Sequence, residues 1–143
     1  MTGPEQRSVH RDPALVGLVA LGGGIGTALR AWLEDVVPRL TWSGAELPLT
    51  TFGINVVGAF ALGVLLETLA LRGADTGRRR RLRVFAGSGV LGGFTTYSAF
   101  MLEADTLVRG GHTWLGVAYV AASLVLGLLA AWGGIAAAGR GRS

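Results

Sequence analysis

The chain has 143 residues, half of them hydrophobic (50%), and a formal net charge of +4. It contains no cysteine, which excludes disulfides, thiolate metal sites and cysteine nucleophiles. All 13 basic residues are arginine, and most flank hydrophobic stretches, a pattern that suits membrane topology better than nucleic-acid binding.

Four stretches of the chain contain no Asp, Glu, Lys or Arg: residues 13–29, 47–66, 84–102 and 110–139. A helix needs about 20 mostly apolar residues to cross the hydrocarbon layer, and about 17 suffice if it is upright. The sequence therefore predicts an all-α integral membrane protein. A single four-helix domain over residues 1–143 is expected, with spans at about 13–33, 47–71, 82–108 and 113–138.

Short connections are predicted between these spans. After a polar tail, Pro13 suits the first turn of helix one. The first apolar run resembles the hydrophobic core of a signal peptide, but it continues beyond Leu21 and three more spans follow. It is therefore assigned to the first transmembrane helix. Residues 34–46 are predicted to form a loop, and residues 72–81 a linker rich in glycine and arginine.

The middle of the third predicted span reads Gly92-Gly93-Phe94-Thr95-Thr96. Two glycines followed by two β-branched polar residues weaken a helix locally. Backbone carbonyls freed at that depth are tolerated only if they are buried in protein, ligated or wet. The sequence thus predicts a helix break that could mark an ion site, whereas most other glycines in the spans are expected to allow tight helix packing.

Arginine is distributed unevenly between the two predicted sides of the membrane. Ten arginines fall on the side of the termini: Arg7, Arg11, Arg72, Arg78, Arg79, Arg80, Arg81, Arg83, Arg140 and Arg142. Arg30, Arg39 and Arg109 fall on the other side. The positive-inside rule predicts a multi-pass protein of the cell membrane with cytoplasmic termini. A compatible second interpretation is that the cluster at residues 78–81 recognises anionic lipid head groups.

No enzymatic motif is evident. Residues 87–92 match the dinucleotide pattern G-x-G-x-x-G, but they lie inside a predicted span with no preceding strand, so we treat the match as coincidence. The sequence has no Walker motif, no G-x-S-x-G and no His/Asp/Glu metal constellation. We expect no enzymatic activity.

Neutral polar residues at helical spacing remain as functional candidates. Thr51 and Asn55 share one face of helix two, and Tyr119, Ser123 and Gly127 repeat the same spacing in helix four. A hydrogen bond between helices would account for each residue alone. Taken together, they favour a polar pathway.

Helix three adds Ser98, which lies beside the aromatic pair Tyr97 and Phe100. An anion can be solvated by N–H and O–H donors, and aromatic rings carry positive potential at their edges. This lining suits a small, strongly hydrated anion without choosing among anions. Charged groups occur only near the span ends, at Glu67, Glu103, Arg30 and Arg109.

Three segments carry a family resemblance: Gly22-Gly23-Gly24-Ile25-Gly26-Thr27-Ala28-Leu29-Arg30, Thr50-Thr51-Phe52-Gly53-Ile54-Asn55-Val56-Val57-Gly58 and Gly92-Gly93-Phe94-Thr95-Thr96-Tyr97-Ser98-Ala99-Phe100. Together they resemble the fluoride channel family known as Fluc or CrcB, and the likeness extends over all four spans. The resemblance implies a fluoride-specific ion channel that gives passive fluoride export and fluoride resistance. It also implies an antiparallel dual-topology dimer with two pores, and a structural sodium ion (Na+) at the dimer centre that is not transported.

The resemblance also implies roles for individual residues. The residues matching the pore are Asn55, Tyr97, Ser98, Phe100, Tyr119 and Ser123, and the backbone carbonyls of Gly92 and Thr95 match the sodium ligands. Arg30 and Glu103 match charged family positions, and Thr51 is a supporting polar residue on the face of Asn55. Two positions depart from the family pattern: Tyr97 replaces the usual phenylalanine, and Gly127 replaces a common hydroxyl residue.

The arginine bias fixes one orientation, whereas a dual-topology protein should be nearly balanced. We therefore expect pairing with an oppositely oriented paralogue rather than only with itself. Two other functions stay open, a proton-coupled small multidrug exporter and a non-transporting membrane scaffold. The exporter needs a membrane-buried carboxylate, for which Glu67 and Glu103 are the only candidates.

Overall fold

The structure is a computed structural model and describes residues 12–140. The helices are α1 (Pro13–Val36), α2 (Leu49–Leu71), α3 (Gly77–Leu82), α4 (Gly92–Phe94), α5 (Tyr97–Arg109) and α6 (Thr113–Arg140). A π-helical segment, Arg83–Leu91, joins α3 to α4. Two short strands, β1 (Leu40–Trp42) and β2 (Ala45–Leu47), lie between α1 and α2.

Three helices, α1, α2 and α6, are long and apolar enough to cross a membrane. The remaining span, from α3 to α5, is divided into shorter pieces and is called the broken span below. The all-α membrane class is confirmed, including the break in the third span. Because the chain passes back and forth four times, both described ends and α3 lie on one side, and the β1–β2 hairpin lies on the other.

Helix α1 packs against the broken span through glycine. The helix begins at Pro13, where Asp12 caps it by accepting a hydrogen bond from the N–H of Ala14 at 3.0 Å. Gly22 and Gly26 are buried, and a Cβ at Gly26 would collide with the carbonyl oxygen of Val90. Side chains at these positions would therefore push the two backbones apart.

Helices α2 and α6 pack together in the same way. A Cβ at Gly63 would collide with the carbonyl of Ala131, and one at Gly134 would collide with the carbonyl of Phe60. The expectation that most span glycines allow close packing is met at these contacts. The close contact between α2 and α6 fixes their relative position, and with it the positions of the polar residues on both helices.

The helix break occurs at Thr95 and Thr96, which have extended backbone angles (φ −78°, ψ 155° and φ −145°, ψ 128°). The sequence predicted a break within residues 92–96, but Gly92 and Gly93 remain helical. Gly93 instead packs against the backbone of Gly23 in α1, where a Cβ would collide with the carbonyl oxygen. Gly93 therefore allows close packing of α1 against the broken span, and the helix is interrupted at the two threonines instead.

Two connections differ from the expected loop and linker. Helix α1 continues to Val36, and residues 40–47 form an antiparallel hairpin whose turn is Ser43-Gly44. Both turn residues have positive φ (53° and 82°), as a tight hairpin turn requires. The predicted linker at residues 72–81 is helical in its second half, because α3 begins at Gly77, directly after its N-cap residue Thr76.

Candidate functional site at the helix break

Asn55 of α2 is hydrogen-bonded to the broken backbone. Its Nδ2 donates to the carbonyl of Thr96 at 3.0 Å, and the N–H of Thr96 donates to its Oδ1 at 2.9 Å. A primary amide has two N–H donors, so one remains after these bonds are made. Asn55 therefore holds the break in place and keeps one donor.

The break removes the usual helical donors from the carbonyls of Gly92 and Thr95. In an uninterrupted helix, the N–H of Thr96 would bond to the carbonyl of Gly92, and the N–H of Ala99 to the carbonyl of Thr95. Here the N–H of Thr96 donates to Asn55, and the N–H of Ala99 donates to Oγ1 of Thr96 at 3.2 Å. The carbonyl oxygens of Gly92 and Thr95 thus lose their helical donors and retain capacity to accept.

The carbonyl of Gly93, unlike those of Gly92 and Thr95, faces side-chain donors from α1. It faces Oγ1 of Thr27 and Nε of Arg30, each at 3.4 Å. Arg30 also forms an ion pair with Glu34 at 3.1 Å, which holds its guanidinium group beside the break. Helix α1 therefore supplies the donors for this carbonyl, and Arg30 acts on the backbone of the break.

Glu103 joins three helices. One carboxylate oxygen accepts a hydrogen bond from the hydroxyl of Thr51 at 2.6 Å, and the other accepts one from the hydroxyl of Tyr119 at 2.8 Å. Thr51 is almost fully buried, with 2% of its surface exposed. Both hydroxyl hydrogens are committed to the carboxylate, so neither is available to another acceptor in this arrangement.

Three aromatic rings form a row beside these groups. The ring centroids of Tyr97 and Phe100 are 6.1 Å apart, and those of Phe100 and Tyr119 are 5.2 Å apart, with the planes tilted by about 50° in both pairs. These spacings and tilts are those of favourable aromatic contacts. Phe100 is buried, whereas Tyr97 is 76% exposed.

A cavity of about 410 Å³ brings most of these elements together. Its polar lining comes from Asn55, Thr95, Thr96, Tyr97 and Ser123, beside the ring of Phe100. The hydroxyl oxygen of Ser123 is buried and has no hydrogen-bond partner within residues 12–140. A buried hydroxyl without a partner is uncommon, and it indicates that this cavity can hold a polar guest.

A second cavity, of about 500 Å³, opens on the side of the hairpin. Its ionisable lining comes from Glu34, Arg39, Glu46, Glu103 and His112. Because Tyr119 packs against Phe100 and donates to Glu103, the Glu103 network connects the linings of the two cavities.

The structure brings together most, but not all, of the predicted pore residues. Asn55, Tyr97, Phe100 and Ser123 line the 410 Å³ cavity. Ser98 and Tyr119 line neither cavity. Ser98 is exposed, with its hydroxyl 3.3 Å from that of Thr96, and the hydroxyl of Tyr119 donates to Glu103. The two predicted metal positions, Gly92 and Thr95, line the cavity as well. The three supporting residues lie outside this lining: Arg30 contacts the carbonyl of Gly93, and Thr51 donates to Glu103.

Sequence reasoning missed the role of Thr96, which caps α5 and exchanges two hydrogen bonds with Asn55. Threonine directly before a run of helix-forming residues is an N-cap signal, so the cap was detectable. It also missed Thr27 and Glu34, which act on the break through Gly93 and Arg30. The i, i+4 spacing of Arg30 and Glu34 is a local signal for their ion pair. No local pattern signals the contacts of Thr27 and Arg30 with Gly93, which are separated by 66 and 63 residues of sequence.

The fold and this site define a small helical membrane protein in which polar groups of several helices converge on one broken span. The family model described as "CrcB-like protein, Camphor Resistance (CrcB)" matches residues 17–135. The chain belongs to the CrcB-like family, which confirms the resemblance found in the sequence.

Named relatives agree with this membership. The chain is 50% identical over 128 residues to "Fluoride-specific ion channel FluC 2" of Leifsonia xyli, covering 90% of this chain and 86% of the relative. It is 48% identical over 130 residues to "Fluoride-specific ion channel FluC 1" of Cutibacterium acnes, covering 90% and 88%. A FluC protein of Novosphingobium aromaticivorans is 44% identical over 110 residues, covering 77% and 84%. These names describe channels, which confirms that the chain is not an enzyme.

Proposed function

We propose that the chain forms a fluoride-specific channel of the cell membrane that lets fluoride leave the cell passively. Family membership and the names of the relatives support this proposal. The observation that carries it is the 410 Å³ cavity, in which the Asn55 amide and the unpartnered Ser123 hydroxyl lie beside the ring of Phe100.

The chemistry of this cavity suits a small anion. No Asp, Glu, Lys or Arg lines it within the described part of the chain. Neutral N–H and O–H donors can replace the hydration shell of fluoride without binding it so tightly that it cannot leave. Ring edges add positive potential. Asn55, Ser123 and Phe100 would therefore solvate the ion, while Thr51, Glu103 and Tyr119 would hold the helices that present them.

A second subunit would complete this lining. Tyr97 is 76% exposed and Ser98 is also exposed, although both adjoin the break. A hydroxyl on the surface of a membrane helix commonly bonds across a helix–helix interface, because lipid tails offer it no partner. We propose an antiparallel dimer whose partner covers Tyr97 and Ser98 and provides the other wall of each pore.

The partner would be an oppositely oriented paralogue, with the termini of this chain in the cytoplasm. The arginine bias between the two sides supports this pairing. C-terminal reporter fusions to this chain, expressed alone, should appear on one side of the membrane only. Equal signals from both sides would contradict the pairing and favour a homodimer.

A structural sodium ion would be held by the carbonyl oxygens of Gly92 and Thr95. These oxygens fit such an ion because their helical N–H donors are taken by Asn55 and Thr96. Carbonyl oxygen is a hard ligand of the kind that alkali cations accept. Sodium would supply positive charge that neutralises the freed carbonyls. The melting temperature of the purified protein should fall when sodium is replaced by choline, and an unchanged value would contradict the site.

Fluoride efflux from liposomes carrying the purified protein tests the main proposal, with a fluoride electrode as readout and chloride efflux as control. Fluoride flux without chloride flux supports it, and Asn55→Ala should remove the flux while the protein still assembles. If the chain alone gives no fluoride efflux, the test is repeated with a co-expressed paralogue.

The same vesicles separate the two alternatives. Dye efflux that is driven by a proton gradient and lost in Glu103→Gln would support a multidrug exporter. If the co-expressed pair assembles but gives no fluoride flux, the result would support a membrane scaffold and contradict the channel.

A further inference from the structure

A basic patch lies at the start of the broken span. Helix α3 contains four consecutive arginines, Arg78 to Arg81, and Leu82 is its last residue. The π-helical segment follows directly and enters the bundle. These arginines therefore lie where the chain passes from the loop into the membrane, on the side of both described chain ends.

The acidic group in this connection does not neutralise the patch. Asp75 is the only Asp or Glu in residues 68–83. Its carboxylate accepts from Nη2 of Arg83 at 2.5 Å and from Nε of Arg83 at 2.9 Å. Asp75 is thus committed to Arg83 and neutralises neither Arg78 nor Arg81.

The arginines of α3 do not all face the same way. Arg79 turns back onto the preceding loop, where its Nη1 donates to the carbonyl of Ala74 at 3.3 Å. Arg78 and Arg81 are three residues apart, so they share a face of the helix. Both are exposed, and neither forms a hydrogen bond or ion pair with residues 12–140. We call Arg78 and Arg81 the α3 pair.

We propose that the α3 pair binds the phosphate group of an acidic phospholipid in the leaflet on this side of the membrane. Guanidinium groups bind phosphate through paired N–H donors. Basic residues directly beside a span attract anionic lipids. Leu82, next to the pair, is 45% exposed and offers an apolar contact for the acyl chains.

A lipid is favoured over a soluble phosphate because of this position. A membrane-embedded phosphate stays at the level of the α3 pair at high local concentration, whereas a free anion must be drawn from solution. The inference does not depend on what the channel conducts, and it differs from a role in topology because lipid binding is reversible and weakens with salt.

Native mass spectrometry of the purified protein with added phosphatidylglycerol tests the proposal, with phosphatidylcholine as the neutral comparison. Arg78→Gln/Arg81→Gln should reduce phosphatidylglycerol binding roughly 25-fold, since each arginine contributes about a fivefold preference near a membrane surface. Arg78→Lys/Arg81→Lys should retain part of the binding, because the charge stays and the paired donors are lost.

The matched control is Arg39→Gln/Arg109→Gln, which removes the same charge from the other side of the bundle. It should bind phosphatidylglycerol as the wild type does. Equal losses in the two double variants, or no loss in the α3 variant, would overturn the proposal. Displacement of the lipid by inorganic phosphate at equal concentration would also overturn it, in favour of a soluble anion.

Folding of the α3 variant is checked separately. Because both side chains are exposed and unpaired with residues 12–140, its melting temperature in neutral detergent should match that of the wild type. A variant that fails this check is replaced by the lysine pair, whose partial loss of binding then decides the question.

Discussion

Asn55 and Thr96 form a reciprocal pair of hydrogen bonds between a side-chain amide and the backbone, at 3.0 and 2.9 Å, across 41 residues of sequence. The amide oxygen replaces the helical acceptor that the N–H of Thr96 would otherwise have. One residue of α2 therefore fixes both the position of the break and the direction in which α5 begins.

Asn55→Asp should destabilise the protein by about 1–3 kcal/mol, because a carboxylate oxygen would face the carbonyl of Thr96 with no hydrogen to donate. Thermal unfolding followed by tryptophan fluorescence measures the change. Thr68→Ala, a substitution in the same helix at a side chain without a hydrogen bond to residues 12–140, is the control and should cost less than about 0.5 kcal/mol. Equal effects of the two would show that the pair with Thr96 does not stabilise the break.

The Glu103 network predicts coupled losses of stability. Thr51→Val and Tyr119→Phe should each cost about 1.5–3 kcal/mol, since each removes a hydrogen bond to a charged group. In a Glu103→Ala background, the same two substitutions should cost less than about 0.5 kcal/mol, because the shared acceptor is gone. A double-mutant cycle measured by thermal unfolding provides these values. Costs that do not depend on Glu103 would assign the effects to packing.

Phe100→Leu should lower fluoride flux more than it lowers stability. Leucine keeps much of the apolar volume in the buried site but has no ring edge to face an anion. Flux is measured with a fluoride electrode on liposomes, and assembly by size-exclusion chromatography. Flux equal to that of the wild type would assign Phe100 to packing alone.

Tyr97→Phe should leave fluoride flux unchanged within about twofold, because the hydroxyl of Tyr97 forms no hydrogen bond within residues 12–140 and the ring is preserved. The same liposome assay measures it, with Tyr97→Ala as the comparison that removes the ring. A large loss in Tyr97→Phe would mean that the hydroxyl itself donates to the ion, through contacts made in the assembled dimer.

Gly26→Ala should destabilise the bundle by about 1–3 kcal/mol, because its Cβ would overlap the carbonyl of Val90 and neither backbone can move freely. Gly17→Ala, in the same helix, meets nothing within 4 Å and should have little effect. Thermal unfolding of both variants tests the contrast. A tolerated Gly26→Ala would mean that α1 and the broken span can separate slightly without loss.

The sequence was sufficient for the fold class and for the existence of the break, but not for its cause. Length and absence of charge predict membrane helices because the bilayer imposes both. The pair Gly92-Gly93 correctly indicated the segment that contains the break, yet Gly93 stays helical because it packs against Gly23. The extended conformation of Thr95 and Thr96 depends on Asn55, a contact that no local pattern encodes.

The candidate site was predictable to a similar extent. Helical spacing placed Thr51 and Asn55 on one face, and both bond to the broken span. Spacing could not reveal that Thr51 and Tyr119 share a single carboxylate, since that depends on how α2, α5 and α6 pack. The hairpin at Ser43-Gly44 had a local signal, because a Ser-Gly dipeptide marks a turn.

The break between Phe94 and Tyr97 also has an electrostatic consequence. The carboxyl end of one helical segment and the amino end of α5 meet within two residues, so a partial negative and a partial positive helix-dipole end lie side by side. The first favours a cation and the second favours an anion, although residues 84–102 include no ionisable acid or base apart from the phenol of Tyr97. A single interruption of the backbone thus provides the membrane interior with polarity of both signs, and without the desolvation cost that a buried charged side chain would carry.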